Sequence, residues 1–228
     1  MIRTFNPHFF QQIKRHLPFV HTNSLCNIRH YSTKYNKNNP WDVLKEDHEE
    51  MYEYYDKYKA SKDWKERTQW LDKIHWELAR HSAAEELRLY PLIEKHLDKG
   101  SFLVQTALLE HTLVKENLAA FEVLSKWDEK DVDLKLFDEL VDRFMVDLRA
   151  HNDEEEELQF PKLDEILSEQ DKIQLAEELS AAKKAAPTHV HPHLPNRPSQ
   201  GLGVVAPIQG IIDKTKDAIV GRPRDHAE

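Results

Sequence analysis

The sequence contains almost no cysteine and little glycine. Its one cysteine, Cys26, lies near the N-terminus, so a chain processed after that segment would carry no thiol. Disulfide bonds, thiolate catalysis and cysteine-ligated zinc or iron–sulfur clusters are then excluded. The five glycines lie at Gly100 and beyond residue 200, which leaves long stretches without a residue that favours breaks in helices.

Long hydrophobic runs are also missing. No stretch approaches the roughly 18 apolar residues that a transmembrane helix requires, so we expect no membrane span. The formal net charge of the whole chain is −9, and this acidity argues against a nucleic-acid partner. With 228 residues and 39% hydrophobic content, the chain is long enough for one buried core with tails.

Acidic residues are absent before Asp42. The charged residues of that segment are all basic: Arg3, Lys14, Arg15, Arg29, Lys34 and Lys37. Apolar residues recur at near-helical spacing from Ile2 to Leu17, and such a basic amphipathic segment is typical of a mitochondrial transit peptide. Because residues 29–32 resemble a matrix-protease site, we predict a transit peptide at residues 1–31, cut after Tyr31, and a matrix location. A disordered basic arm is the alternative.

Four amphipathic segments follow a short linker at residues 32–40. In each segment apolar residues and histidines recur every three or four positions, which is the periodicity of a helix with one buried face. The expected capping residues are Asn39 before Pro40, Asp63 with Glu66, Ser101 and, for a shorter fifth helix, Ser168 with Asp171. The sequence therefore predicts an all-α, antiparallel up-down four-helix bundle over residues 41–184, including the extra helix.

The tail at residues 185–228 has a different composition, with proline, glycine and histidine. We expect it to be mostly extended, with one short amphipathic pattern at residues 208–219 that favours a small helix. Its histidines, His189, His191 and His193, indicate at most weak metal binding in a flexible segment.

An internal repeat of one sequence motif is the most informative pattern in the chain. His81-Ser-Ala-Ala-Glu85-Glu86, followed by Tyr90-Pro91, matches His151-Asn-Asp-Glu-Glu155-Glu156, followed by Phe160-Pro161, at identical offsets. A shorter acid-histidine pair precedes each motif: Asp47-His48 lies before the first and Glu110-His111 lies before the second. The bundle thus consists of two helix hairpins that could descend from a duplication. Each proline removes a helical hydrogen bond, so a kink or helix end is expected after each pair.

Histidine and glutamate four residues apart project from the same side of a helix, about 6 Å apart along its axis. His48 and His111 have no such glutamate, but each lies in the apolar stripe of its helix. The residues expected to converge from four helices are therefore His48, His81, Glu85, His111, His151 and Glu155. Burying two carboxylates would cost several kcal/mol each without a counter-charge, which a pair of cations supplies. The alternative is that each histidine is an ordinary core residue. Imidazole with carboxylate suits iron, manganese or zinc, and we favour iron.

These residues resemble the hemerythrin HHE cation-binding family over about residues 41–167. The resemblance implies a hemerythrin-like bundle that holds two non-haem iron ions through the same six residues, with Glu85 and Glu155 as bridges. The chain departs from oxygen-carrying hemerythrins at Lys115, where they have a histidine. Their fourth-helix carboxylate also falls at the position of Glu156, so either Glu155 or Glu156 could bridge; we prefer Glu155, because Glu156 is rotated about 140° from His151.

Three functions follow from this pattern. The first is a binding protein whose di-iron centre takes up O2 or NO, or iron itself, as a sensor, store or buffer in mitochondria. The second is a di-iron oxidoreductase that consumes peroxide or oxygen, which an inward-pointing Lys115 would favour. The third is a metal-free interaction module whose tail binds an unknown protein partner. We expect His75 to lie at the surface or behind the ligands, since it faces away from His81.

Overall fold

The computed structural model describes residues 35–189 and Asp213. The expected transit peptide and most of the tail, including the amphipathic pattern at residues 208–219 apart from Asp213, lie outside the described residues. Every regular element in the described part is a helix, which confirms the all-α fold. Within the same residues no helix combines the length and the apolar character that crossing a bilayer requires.

Within residues 35–189, the fold consists of four long helical rods and one shorter helix. The helices are α1 (Pro40–Ala60), α2 (Trp64–Ala84), α3 (Tyr90–His96), α4 (Gly100–Leu124), α5 (Leu134–Glu154), α6 (Phe160–Ile166) and α7 (Glu169–Ala185). A π-helical turn at Glu85–Leu89 joins α2 to α3, and a second at Glu155–Gln159 joins α5 to α6. The second and fourth rods therefore run without interruption past their prolines.

Three of the predicted helix starts are confirmed by capping hydrogen bonds. The side chain of Asn39 accepts from the backbone N–H groups at the start of α1, and Asp63 accepts from that of Glu66 at the start of α2. Ser168 and Asp171 form the reciprocal capping box that begins α7. Such caps satisfy N–H groups that have no partner within the helix.

The predicted cap of α4 is wrong, because the helix begins at Gly100 and Ser101 lies inside it. Lys99 precedes the helix in the left-handed conformation, with φ 55°. A Cβ atom at position 100 would lie 2.1 Å from the backbone oxygen of Ile93. The tight turn between α3 and α4 therefore requires glycine at this position, and α4 begins without a side-chain cap.

The interior divides into two apolar clusters with a polar layer between them. One cluster includes Met51, Leu78, Val114 and Leu148, and the other includes Leu44, Ala84, Ala107 and Phe160. On each rod a histidine lies between a member of one cluster and a member of the other, so the four histidines occupy one layer across the bundle.

Helix α7 packs on α1, α2 and the first π-helical turn. The ammonium group of Lys183 is bonded to the carboxylate of Asp47 on α1 and lies 3.1 Å from Oε1 of Glu77 on α2. All three side chains are largely withdrawn from water. A buried lysine between two buried carboxylates attaches α7 to the bundle and offsets the charge of both acids.

Replacing Lys183 should test this attachment. We expect Lys183→Met to lower the free energy of unfolding by about 3–5 kcal/mol, because Asp47 and Glu77 would lose the cation that compensates their burial. Lys135→Met is the matched control, since that side chain is 88% exposed, and it should change stability by less than about 0.5 kcal/mol. Urea unfolding followed by circular dichroism measures both, and equal stability of the two variants would contradict the assignment.

Candidate metal centre

The structure brings all six predicted residues into the polar layer. Each long rod contributes one histidine, and the first residue of each π-helical turn contributes a glutamate. The six are His48 on α1, His81 on α2, Glu85, His111 on α4, His151 on α5 and Glu155. None is more than 8% exposed.

One half of the cluster is built around His48 and His81. Their Nε2 atoms are 3.2 Å apart. Nε2 of His81 lies 3.1 Å from Oε1 of Glu85, and Nε2 of His48 lies 3.8 Å from Oε2 of Glu155. One donor atom from each of these four residues lies within 4.8 Å of the others, a spacing that one metal ion could span.

The other half is built around His111 and His151. Nε2 of His111 lies 3.4 Å from Oε2 of Glu85, and Nε2 of His151 lies 3.5 Å from Oε1 of Glu155. Together with Glu85 these histidines form a second group at metal-ligand spacing. Glu85 and Glu155 therefore each direct one oxygen toward each half of the cluster.

The outer nitrogen of every histidine is held by a further carboxylate. Nδ1 of His48 lies 2.7 Å from Glu156, that of His81 3.0 Å from Asp47, that of His111 2.8 Å from Glu86, and that of His151 2.7 Å from Glu110. These contacts favour the tautomer with the proton on Nδ1, which turns each Nε2 lone pair toward the centre.

Lysines offset part of this outer negative charge. Lys45 lies 3.6 Å from Glu156, Lys115 lies 2.8 Å from Glu86, and Lys183 is bonded to Asp47. The fourth outer acid, Glu110, is partly exposed to solvent. Lys115 therefore stabilises the acid that contacts His111.

Consecutive glutamates serve different roles at the start of each π-helical turn. The backbone N–H of Tyr90 donates to the carbonyl of Glu85, and that of Phe160 donates to the carbonyl of Glu155. These bonds span five residues, and such widened turns recur at functional sites. The sequence prediction placed Glu156 by regular α-helical geometry and gave Glu86 no role, so it missed their contacts with His48 and His111. The repetition of a second glutamate in both motifs is the sequence feature that could have predicted these contacts.

Electrostatics also indicate a deficit of positive charge. Burial and the nearby charge of Glu85 raise the pKa of Glu155 well above its ordinary value. Burial lowers the pKa of His151, but Glu155 and Glu110 outweigh it and raise that pKa to about 9. Without cations the cluster thus holds protons to limit the charge of its carboxylates.

In the central cluster, both oxygens of Glu85 and both oxygens of Glu155 are buried without a hydrogen-bond partner. Ring nitrogens approach them at 3.1–3.8 Å, but not with hydrogen-bond geometry. Nε2 of His151 is likewise unpartnered. Buried polar atoms without partners are rare and costly, and metal coordination would satisfy all of them, so the His/Glu cluster fits a metal site.

Comparisons with known proteins agree with this geometry. The family model of the hemerythrin HHE cation-binding domain matches residues 39–163. An uncharacterized hemerythrin-like protein of Schizosaccharomyces pombe is 35% identical over 177 residues, which cover 77% of this chain and 84% of that protein. No solved structure matches the chain significantly.

The unpartnered oxygens of Glu155 predict opposite effects on stability and on metal binding. We expect Glu155→Gln to leave the metal-free protein at least as stable, because it removes a carboxylate whose burial is uncompensated. Metal affinity should fall by at least about tenfold. Thermal unfolding with and without chelator, combined with metal analysis, measures both. Glu157→Gln, at an exposed neighbour, is the control; unchanged metal content in Glu155→Gln would refute its role as a ligand.

Proposed function

The chain belongs to the hemerythrin HHE cation-binding family, and from this premise we propose that it is a non-haem di-iron protein that binds O2 or NO in mitochondria as a sensor, store or buffer. The observation that carries the proposal is the pair of buried, unpartnered carboxylates, Glu85 and Glu155, between four inward-facing imidazole nitrogens. Cations in two adjacent positions would compensate both carboxylates.

The choice of iron is supported by the donor set. Imidazole nitrogens and carboxylate oxygens with no thiolate suit iron, and manganese or zinc are the alternatives. His48, His81, Glu85, His111, His151 and Glu155 would hold the two ions. Bound iron would supply a redox-active centre that accepts a small diatomic ligand or peroxide.

The number of protein donor atoms supports an open coordination position for a small ligand on each ion. Each half offers two imidazole nitrogens and one oxygen from each shared carboxylate. Four donors leave positions open on an ion that accepts six. Lys115, where oxygen-carrying hemerythrins have a histidine, adds no ligand, because its ammonium group is engaged by Glu86.

A di-iron oxidoreductase is the second candidate, and the position of Tyr90 favours it. The hydroxyl oxygen of this buried tyrosine lies 2.9 Å from Nε2 of His111, the nitrogen that faces the centre. A phenol at this position would be able to donate a hydrogen bond or a proton to a substrate at the centre. This contact is the reason to measure turnover as well as binding.

Metal analysis and absorption spectroscopy of the full chain test the proposal. We expect two irons per chain, with ferric absorption bands that shift when azide binds at an open position, and slow consumption of hydrogen peroxide. Rapid peroxide turnover would favour the oxidoreductase. Absence of iron, with zinc or no metal in the central cluster, would contradict the proposed function and favour an interaction module.

A double substitution provides the control for that experiment. His81→Ala combined with His151→Ala removes one imidazole from each half of the cluster, so we expect loss of iron with retention of the helical circular dichroism spectrum. Iron content equal to that of the wild-type protein would show that the metal binds elsewhere.

The mitochondrial location is supported by the basic, acid-free composition of residues 1–41. We expect isolated energised mitochondria to import the full chain and to shorten it to a product that begins at Ser32. A chain that starts at Ser32 should remain outside. N-terminal sequencing of the protease-protected product measures the cut, and equal protection of both chains would refute a transit peptide at residues 1–31.

A further inference from the structure

A second group of metal-binding side chains lies apart from the central cluster. It consists of His75 on α2, Glu122 on α4 and His189, four residues after α7 ends. The sequence-based placement of His75 at the surface or behind the ligands is wrong: the residue is 4% exposed and belongs to this group, because α4 and the segment after α7 cover that side of α2. These three residues come from three separate parts of the chain.

The distances within this group are those of a site that needs little adjustment. Nδ1 of His189 lies 3.6 Å from Oε2 of Glu122. The rings of His75 and His189 meet edge to face, with centroids 5.7 Å apart. One donor atom from each residue lies within 4.8 Å of the other two. In a tetrahedral zinc site with bonds of about 2.0–2.2 Å, ligand atoms lie roughly 3.4 Å apart.

The charge of Glu122 favours a cation. His189 and Lys126 hold the pKa of this carboxyl well below its ordinary value, against the effect of burial, so it is ionised at neutral pH. Lys126 bonds to Oε1 at 2.8 Å and leaves Oε2 directed at His189. Because the lysine side chain is 66% exposed, its ion pair contributes little stability and leaves the carboxylate able to bind a divalent ion.

We propose that His75, Glu122 and His189 form a zinc site that fixes the chain after α7 to the side of the bundle formed by α2 and α4. Two imidazoles and one carboxylate are a donor set that zinc accepts, with water as the fourth ligand. Zinc is expected here, and not a second di-metal centre, because the group has three donors and no shared carboxylate pair. The site is independent of the central cluster and of the proposed function.

Zinc titration of the full chain, followed by calorimetry, tests this site by comparison of variants. Because the central cluster is the same in all of them, we expect the wild-type protein to bind one more zinc ion per chain than His189→Ala. Cobalt should reproduce this difference and give the intense visible bands of a tetrahedral ion in the wild-type minus variant spectrum. His189 is partly exposed, so its replacement should leave the fold intact.

Glu122→Gln is the second test, because it removes the charge and keeps nearly the same volume. We expect zinc affinity at this site to fall by at least about tenfold, since loss of a group that merely orients a ligand already costs about 10- to 100-fold. His96→Ala, which replaces a histidine outside the group, should bind zinc as the wild type does. Equal zinc stoichiometry and affinity in the wild type, His189→Ala and Glu122→Gln would overturn the proposal.

Discussion

Burial of Glu85 and Glu155 between two apolar clusters is the constraint on which the rest of the structure depends. Their four oxygens lie where water does not reach and where no hydrogen-bond donor meets them. An uncompensated carboxylate in such a place costs several kcal/mol, a large share of the stability of an ordinary domain. Metal cations bound between these carboxylates would offset this cost, and stability would then depend on metal occupancy.

Orientation of the four histidines follows from a layer of acids behind them. Asp47 on α1 holds His81, and the equivalent Glu110 on α4 holds His151. The glutamates that follow Glu85 and Glu155 hold the remaining two rings. Each hairpin thus supports a histidine of the other hairpin as well as its own, so the centre forms only when both hairpins are packed together. Lysines pair with three of these acids and offset part of their negative charge. One of these lysines, Lys183, belongs to α7, so the same contact attaches that helix to the bundle.

Much of the fold was predictable because its signals are local. Helix starts at Asn39, Asp63 and Ser168 depend on side chains two or three residues from the groups they cap, and the buried face of each helix depends on a period of 3.6 residues. The start of α4 was not predictable in this way. It depends on the approach of Gly100 to the carbonyl of Ile93, which only the packing of the α3–α4 turn creates.

By itself, the sequence determined the class of the fold and the residue types at the centre, because the repeated His-x-x-x-Glu-Glu pattern puts donors on one side of a helix. Tertiary structure alone decided which acids face the centre and which contact a histidine from behind, because Glu86 and Glu156 contact His111 and His48, which belong to other rods. It also decided that His75 meets Glu122 and His189. Residues so far apart in the chain become neighbours only through packing, and no local pattern encodes that contact.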